Sequence, residues 1–313
     1  MHSSSGVLRV LRDEDVRSRR RPRPGLDTVV LNIIAYVILF VLAFVAVFPF
    51  FVTVINSFAS EHAIINYGYS AIPKEYSLAA YRLVFRNPKQ VANAYGVSIF
   101  ITAFGTIASL FFSSMAAYTM ARKDVKYRNK LAFFLYFTTL FNGGLAPTYM
   151  VVTTILHLKN TIAILMLWPM FSVFHILILR NFFMNQIPAS LSEAAKIDGA
   201  NDFTIFIRIV LPLTTSALAS IGLFTALFYW NDWWTAMLYV ERQRLQPLQY
   251  LLYRILSSAT LAANVVNNVS TINMPQESLK LAMTVVSTGP IVLAYPFVQQ
   301  FFVRGMMLGA VKG

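Results

Sequence analysis

The chain has 313 residues, 57% of them hydrophobic and 12% charged, with a mean hydropathy of +0.59. That charged fraction is about half that of an average soluble domain, which excludes an ordinary water-soluble globular protein. The formal net charge is +13, and the absence of cysteine excludes disulfides and thiolate metal sites while leaving the redox compartment open.

Residues 1–27 are serine-rich and then charged, with Arg17, Arg19, Arg20, Arg21 and Arg23 crowded ahead of the first apolar run. They predict a disordered, basic cytoplasmic tail, too long and polar for a cleaved signal, followed by a retained anchor. Charge-free runs at 28–60, 90–121, 131–158, 160–179, 209–231 and 281–303 each reach the roughly 20 residues that a helix needs to cross a hydrocarbon core. The expectation is an all-α membrane protein with six transmembrane helices in one domain, residues 28–313. A β-barrel is excluded, because barrel strands alternate over about ten residues and give no continuous apolar run.

The positive charge follows the same frame. Besides the tail, it gathers at Arg122, Lys123, Lys126, Arg128 and Lys130, then at Arg180, Lys196 and Arg208, and finally at Arg304 and Lys312. All four places share one side if the spans alternate, which predicts a cytoplasmic location for them and both termini inside. Topology thus accounts for the net charge without a nucleic-acid partner, and binding of the tail to anionic lipid head groups is the second reading.

Residues 61–89 read as an external loop. The second run carries small residues, among them Gly105, Ser109, Ser113 and Ala117, at spacings that allow close helix approach. Asn142-Gly143-Gly144 and Pro147 interrupt the third run, Trp168-Pro169 the fourth, and Gly289-Pro290 with Pro296 the sixth. Backbone groups freed in lipid cost several kcal/mol each unless protein or water satisfies them. Such breaks therefore either adjust packing or line a pathway. Between 239 and 280 the chain reads as external: a short helix from Gln246 to Leu256, a polar loop at 264–273, and Pro275 in the first turn of the last span.

The segment 188–212 is polar and helix-forming between two apolar runs. Pro188 suits a helix start, Ser190 to Ile197 are compatible with helix, and Asp198-Gly199 reads as a left-handed stop. Asn201 or Asp202 can cap a second helix that runs to Pro212. Ala194 and Ala195 keep one face small, so that a partner can approach, while Glu193, Lys196 and Asp198 place charge at its rim. An interfacial helix lying on head groups is the competing reading.

Glu193-Ala194-Ala195, three residues, Gly199, nine residues, Ile209, one residue and Leu211-Pro212 resemble the cytoplasmic loop of binding-protein-dependent ABC importer permeases. Tyr229 to Trp234 late in the fifth run, and the ending Gly305 with Gly309-Ala310-Val311-Lys312-Gly313, are similar to carbohydrate permeases of the maltose-importer type. The resemblance covers nearly everything after residue 28. It implies a type I importer permease fold in a bacterial plasma membrane, paired with a second homologous permease, two copies of an ABC ATPase and an extracytoplasmic solute-binding protein. Glu193, Ala194, Ala195, Lys196, Asp198 and Gly199 carry over as the ATPase-coupling helix. The resemblance also implies that ATP and Mg sit on the partner ATPase. Consistent with that, this chain has no G-x-x-x-x-G-K-[ST] phosphate loop, and the expectation is a non-catalytic subunit that binds no cofactor.

A sugar needs flat apolar faces and a few hydrogen-bonding groups. Tyr229, Trp230, Asn231 and Asp232 offer that mixture, with Asn142 and Tyr149, and less directly Tyr295, as further candidates. Asp232 lies about 30 Å along the helix from Pro212, so an interfacial aromatic belt explains Trp233 and Trp234 equally well. His62, His157 and His175 are scattered and suggest no metal site. A permease for a non-sugar solute is the nearest rival, opposed by the sugar-type ending. A secondary transporter would show intramembrane carboxylates or an inverted repeat, and neither is visible.

Overall fold

The computed structural model describes residues 26–266 and 275–310. The arginine-rich tail, most of the 264–273 loop and residues 311–313 lie outside the described residues. Helix α1, Leu26–Asn56, forms a unit of its own up to Thr53. It is apolar on every side, with Leu31, Phe40, Phe44 and Phe50 among its exposed residues. A helix of that kind is stable only in lipid or against other protein.

The second unit begins at Val54. The 61–89 segment, expected as a loop, is built instead from α2 (Glu61–Tyr67) and α3 (Ala79–Val84), with an isolated antiparallel bridge between Ala59 and Tyr76. Ser60 starts α2 by accepting the Ala63 N–H at 3.0 Å. Asn87 caps and Pro88 opens α4 (Pro88–Ala121), the 34-residue helix against which α8 (Val173–Gln186) and α11 (Thr215–Asn231) pack. The small-residue face of α4 makes that approach possible. A Cβ built on Gly105 would stand 2.6 Å from Cζ of Tyr229, and one on Gly222 would stand 3.0 Å from Leu110.

The third and fourth apolar runs are both interrupted. Helix α5 (Arg128–Leu140) and helix α6 (Leu145–Ile155) flank Gly144, which adopts φ +87°. Helix α7 (Ile162–Leu167) stops before Pro169, and α8 restarts at Val173. Neighbouring helices satisfy carbonyls exposed at this second break. The Tyr229 hydroxyl donates to the Met166 carbonyl at 2.6 Å, and Ser109 donates to that of Met170 at 2.6 Å. At this second break the irregular backbone is thus satisfied by protein, as the cost of freed groups in lipid demands.

The chain continues through α9 (Ala189–Ile197) and α10 (Asp202–Leu213) into α11, which bends 82° from α10 around Thr214. Then follow α12 (Trp234–Tyr239), α13 (Leu248–Val266) and α14 (Gln276–Ala310). The expected short helix after Gln246 is therefore longer than its sequence spacing suggested. Helix α14 runs unbroken through Pro290 and Pro296, where interruptions were expected. Among the described residues, Asp27–Asn56 and Pro88–Ala121 are long and apolar enough to cross a membrane, and α10 with α11 makes a third if the bent pair is one span.

Candidate functional site

The 188–212 segment folds as a helix, a turn and a second helix. Ile187 is extended ahead of Pro188, as a residue preceding proline prefers, and α9 begins directly after it. Its end is a Schellman motif. Gly199, at φ +81°, donates to the Lys196 carbonyl at 3.0 Å, and Ala200 donates to that of Ala195 at 2.9 Å. Asn201, rather than Asp202, caps the next helix by accepting the Thr204 N–H at 2.8 Å. A π-type widening at Phe206–Val210 precedes the bend at Thr214, whose buried hydroxyl donates to the Val210 carbonyl at 2.8 Å.

The inner face of this unit is packed. Ala195, Ile205, Phe206 and Val210 join Ala117, Tyr118, Ile176, Leu179 and Phe183 in one core, with Phe206 stacked on Tyr118 at 5.6 Å. The smallness of residue 195 therefore serves the chain's own packing, and Ala194 is the alanine left exposed. The outer face carries Leu191, Ala194 and Ile197 in a row at i, i+3 and i+6, with Ile197 87% exposed. Glu193 and Asp198 are exposed beside the row.

Charges fasten the unit to the end of α4. Arg122 follows the last residue of that helix, and its side chain is only 16% exposed. Its guanidinium grips both carboxylate oxygens of Asp124, with Nε to Oδ1 at 2.9 Å, and reaches Asp202 at 2.7 Å. Lys196 meets Asp124 at 3.0 Å and Asp202 at 3.7 Å. Hydrogen bonding from Arg122, helped by Lys196, holds the Asp124 carboxyl well below the usual carboxylate range. The same contact with Asp124 raises Arg122. Two further cations cap the end of α4: Arg180 donates to the Met120 carbonyl at 3.2 Å and Arg128 to that of Arg122 at 3.5 Å. Sequence reasoning assigned these cations to topology and missed their contacts. A cleft of about 520 Å³ opens beside α9, lined in part by Lys123, Asn185, Ser192 and Glu193.

The aromatic candidates divide. Tyr229 is buried beneath α4. Trp230 is buried among α3, α13 and α14, donating its indole N–H to the Ser287 carbonyl at 3.0 Å. Both tie helices together. Asn231 is exposed and accepts from Gln249 at 3.3 Å, while Asp232 caps α12 through the Thr235 N–H at 3.0 Å. Asn142 is exposed and turns the chain by accepting the Gly144 N–H at 2.9 Å. Tyr149 stacks on Tyr239 in a separate core, and Tyr295 is exposed. Asn142 and Tyr149 are thus not gathered with Trp230. Trp233 stacks on Tyr253 at 4.5 Å, and Trp234 is exposed. Among the described residues no group of three or more histidines or carboxylates could hold a metal ion.

No family model matches the chain. It is similar to the polygalacturonan/rhamnogalacturonan transport system permease protein YtcP of Bacillus subtilis (strain 168), 40% identical over 283 residues, covering 90% of this chain and 98% of that one. Protein LplC of the same organism is 39% identical over 269 residues, 86% of this chain and 90% of its own. The arabinooligosaccharides transport system permease protein AraQ of Halalkalibacterium halodurans is 28% identical over 278 residues, 87% of this chain and 93% of its own. Among solved structures, a bacterial ABC transporter involved in the import of the acidic polysaccharide alginate superposes with a TM-score of 0.70 at 29% identity. The match covers 90% of this chain and 100% of that one.

Proposed function

Because the chain belongs to the family of permease subunits of carbohydrate ABC importers, we propose that it conducts an acidic oligosaccharide inward, driven by an ATPase docked on α9. It is a membrane subunit for sugar import. In this reading the six apolar runs are six spans, with both termini in the cytoplasm. The third and fourth spans are the broken pairs α5–α6 and α7–α8, and the fifth is α11. A sister permease completes the pathway, two ATPase copies carry ATP and Mg, and a solute-binding protein delivers the sugar from outside. The chain itself contributes no catalytic group.

The observation that carries the coupling assignment is the two-faced character of α9. Its inner side is sealed into the core, while Leu191, Ala194 and Ile197 stay uncovered on a segment otherwise rich in polar residues. An apolar row kept in water without a partner gains nothing for the chain. Acidic substrates are favoured by two similarities, to a polygalacturonan/rhamnogalacturonan permease and to an alginate importer.

Replacing Gly199 with alanine tests the lever. The left-handed backbone there costs a non-glycine residue about 1 kcal/mol or more and shifts the angle between α9 and α10. Stimulation of ATP hydrolysis by sugar-loaded binding protein should fall in the assembled complex, and unaltered stimulation would remove the coupling role.

A further inference from the structure

A second feature of the molecule has the chemistry of a sugar site, and it lies away from the coupling unit, sharing with the helix-tying pairs Ser287, whose carbonyl accepts from Trp230. Between α13, α14 and the start of α12 is a cleft of about 260 Å³ lined by Trp233, Gln249, Tyr253, Lys280, Thr284 and Ser287, with Leu252, Leu256 and Met283 completing it. Trp233 and Tyr253 are stacked at 4.5 Å with their planes 22° apart. Tyr253 is 39% exposed, and Lys280 and Thr284 are exposed beside it.

We propose that this cleft binds one uronic acid residue of an oligosaccharide, its ring against Trp233 and Tyr253 and its carboxylate on Lys280. The inference rests on the importer reading above and deepens it. Pyranose rings present flat C–H faces that pack on aromatic surfaces, and their hydroxyls need hydrogen-bonding groups around the edge. Gln249, Thr284 and Ser287 supply those groups. Asn231, held to Gln249 at 3.3 Å, extends the same polar edge.

Lys280 makes the cleft selective for an acid. Its ammonium lies 2.6 Å from Glu277, and Glu277 in turn accepts from the Tyr69 hydroxyl at 3.0 Å. An ammonium has three donors, so the contact with Glu277 leaves two for an incoming carboxylate. Glu277 thereby positions the cation, and the Tyr69 hydroxyl positions Glu277. A neutral sugar could use the aromatic pair and the amide but would bring no carboxylate to the two ammonium donors that Glu277 leaves open. Tryptophans at this depth are also expected from an interfacial belt, but a belt needs neither the stacked tyrosine nor the lysine.

The test uses the complete complex in proteoliposomes with its binding protein. Uptake of labelled trigalacturonate is compared with uptake of its fully methyl-esterified form, each normalised to ATP hydrolysed. Lys280→Gln should reduce the preference for the acid by about tenfold, the scale of one lost charged hydrogen bond, and Lys280→Arg should restore it. Trp233→Ala should slow both substrates alike. An unchanged acid-to-ester ratio in Lys280→Gln would overturn the proposal. So would failure of the Trp233→Ala permease to assemble with its sister, because the cleft would then be a subunit interface. If the wild-type complex imported neither compound, the acidic-oligosaccharide reading itself would fall, independently of any variant.

Discussion

Asp124 is the most exacting test of how the segment proposed to couple to the ATPase is fastened. It accepts from two nitrogens of Arg122 and from Lys196, so Asp124→Asn removes the closer of the two carboxylates, Asp124 and Asp202, that bridge Arg122 at the end of α4 to Lys196 on α9. Exposed ion pairs contribute about 0.2–1 kcal/mol, and Asp124 is 52% exposed and Lys196 44% exposed. The two-pronged grip on the sheltered guanidinium adds more, as a charge-assisted pair does. Allowing for solvent screening, the loss is about 1–2 kcal/mol, a factor of about 5–30 in the docked population of the segment. Hydrogen exchange of residues 189–202 in the assembled complex should quicken by that factor, while exchange in α11 stays as it was. The sign with pH follows from the lowered carboxyl of Asp124. Its stabilisation is complete above the ordinary carboxylate value of about 3.9 and is lost only as pH falls below it toward the depressed folded value. Exchange of the segment should accordingly show no dependence on this group between pH 5 and 8. If Asp124→Asn left exchange of 189–202 unchanged, the ionic fastening would be ornamental and the lever would be held by its apolar core alone.

Three further substitutions probe the scaffold. Tyr229→Phe leaves the Met166 carbonyl without its donor at the break in the fourth run and should lower thermal stability by about 1–3 kcal/mol. Gly105→Ala drives a methyl group into the same ring and should be worse, read as a drop in melting temperature of the purified complex. Glu61 caps α14 through the N–H groups of Glu277 and Ser278 at 2.9 and 3.0 Å and through the Ser278 hydroxyl at 3.0 Å. Glu61→Ala should cost about 1 kcal/mol, visible as faster exchange in residues 276–280. Unaltered exchange there would show that the cap contributes nothing.

Local signals reported what they govern. Gly199 announced a left-handed stop and the structure gives it φ +81°, because only glycine enters that region without strain. Asn142, Gly144 and Pro147 announced a break, and Gly144 supplies it. The apolar runs at 28–60 and 90–121 announced helices long and apolar enough to cross a membrane for the same reason: the requirement of lipid for apolar surface is read from composition alone. Long-range relations were hidden. Nothing in the sequence pairs Lys196 with Asp124, 72 positions away, or points the Trp230 indole at the Ser287 carbonyl. The tyrosines and charges of residues 61–89 look like a loop, yet Glu61 acts as a cap for a helix more than two hundred positions later. Pro290 and Pro296 signal interruption, and α14 runs through both, since proline breaks a helix only where nothing compensates the lost hydrogen bond. The exposed row on α9 did carry a sequence signal, Leu191 and Ile197 flanking Ala194 at helical spacing.

The claim on which the account turns is that α9 touches the ATPase. The chain has no cysteine, so Glu193→Cys places a single thiol on the exposed side of α9. A short bismaleimide applied to complexes whose ATPase keeps one accessible cysteine beside its docking cleft should link the two subunits, with a yield that changes when ATP is added. No link from position 193, in complexes where a thiol placed at Ile197 is equally silent and import still proceeds, would contradict it.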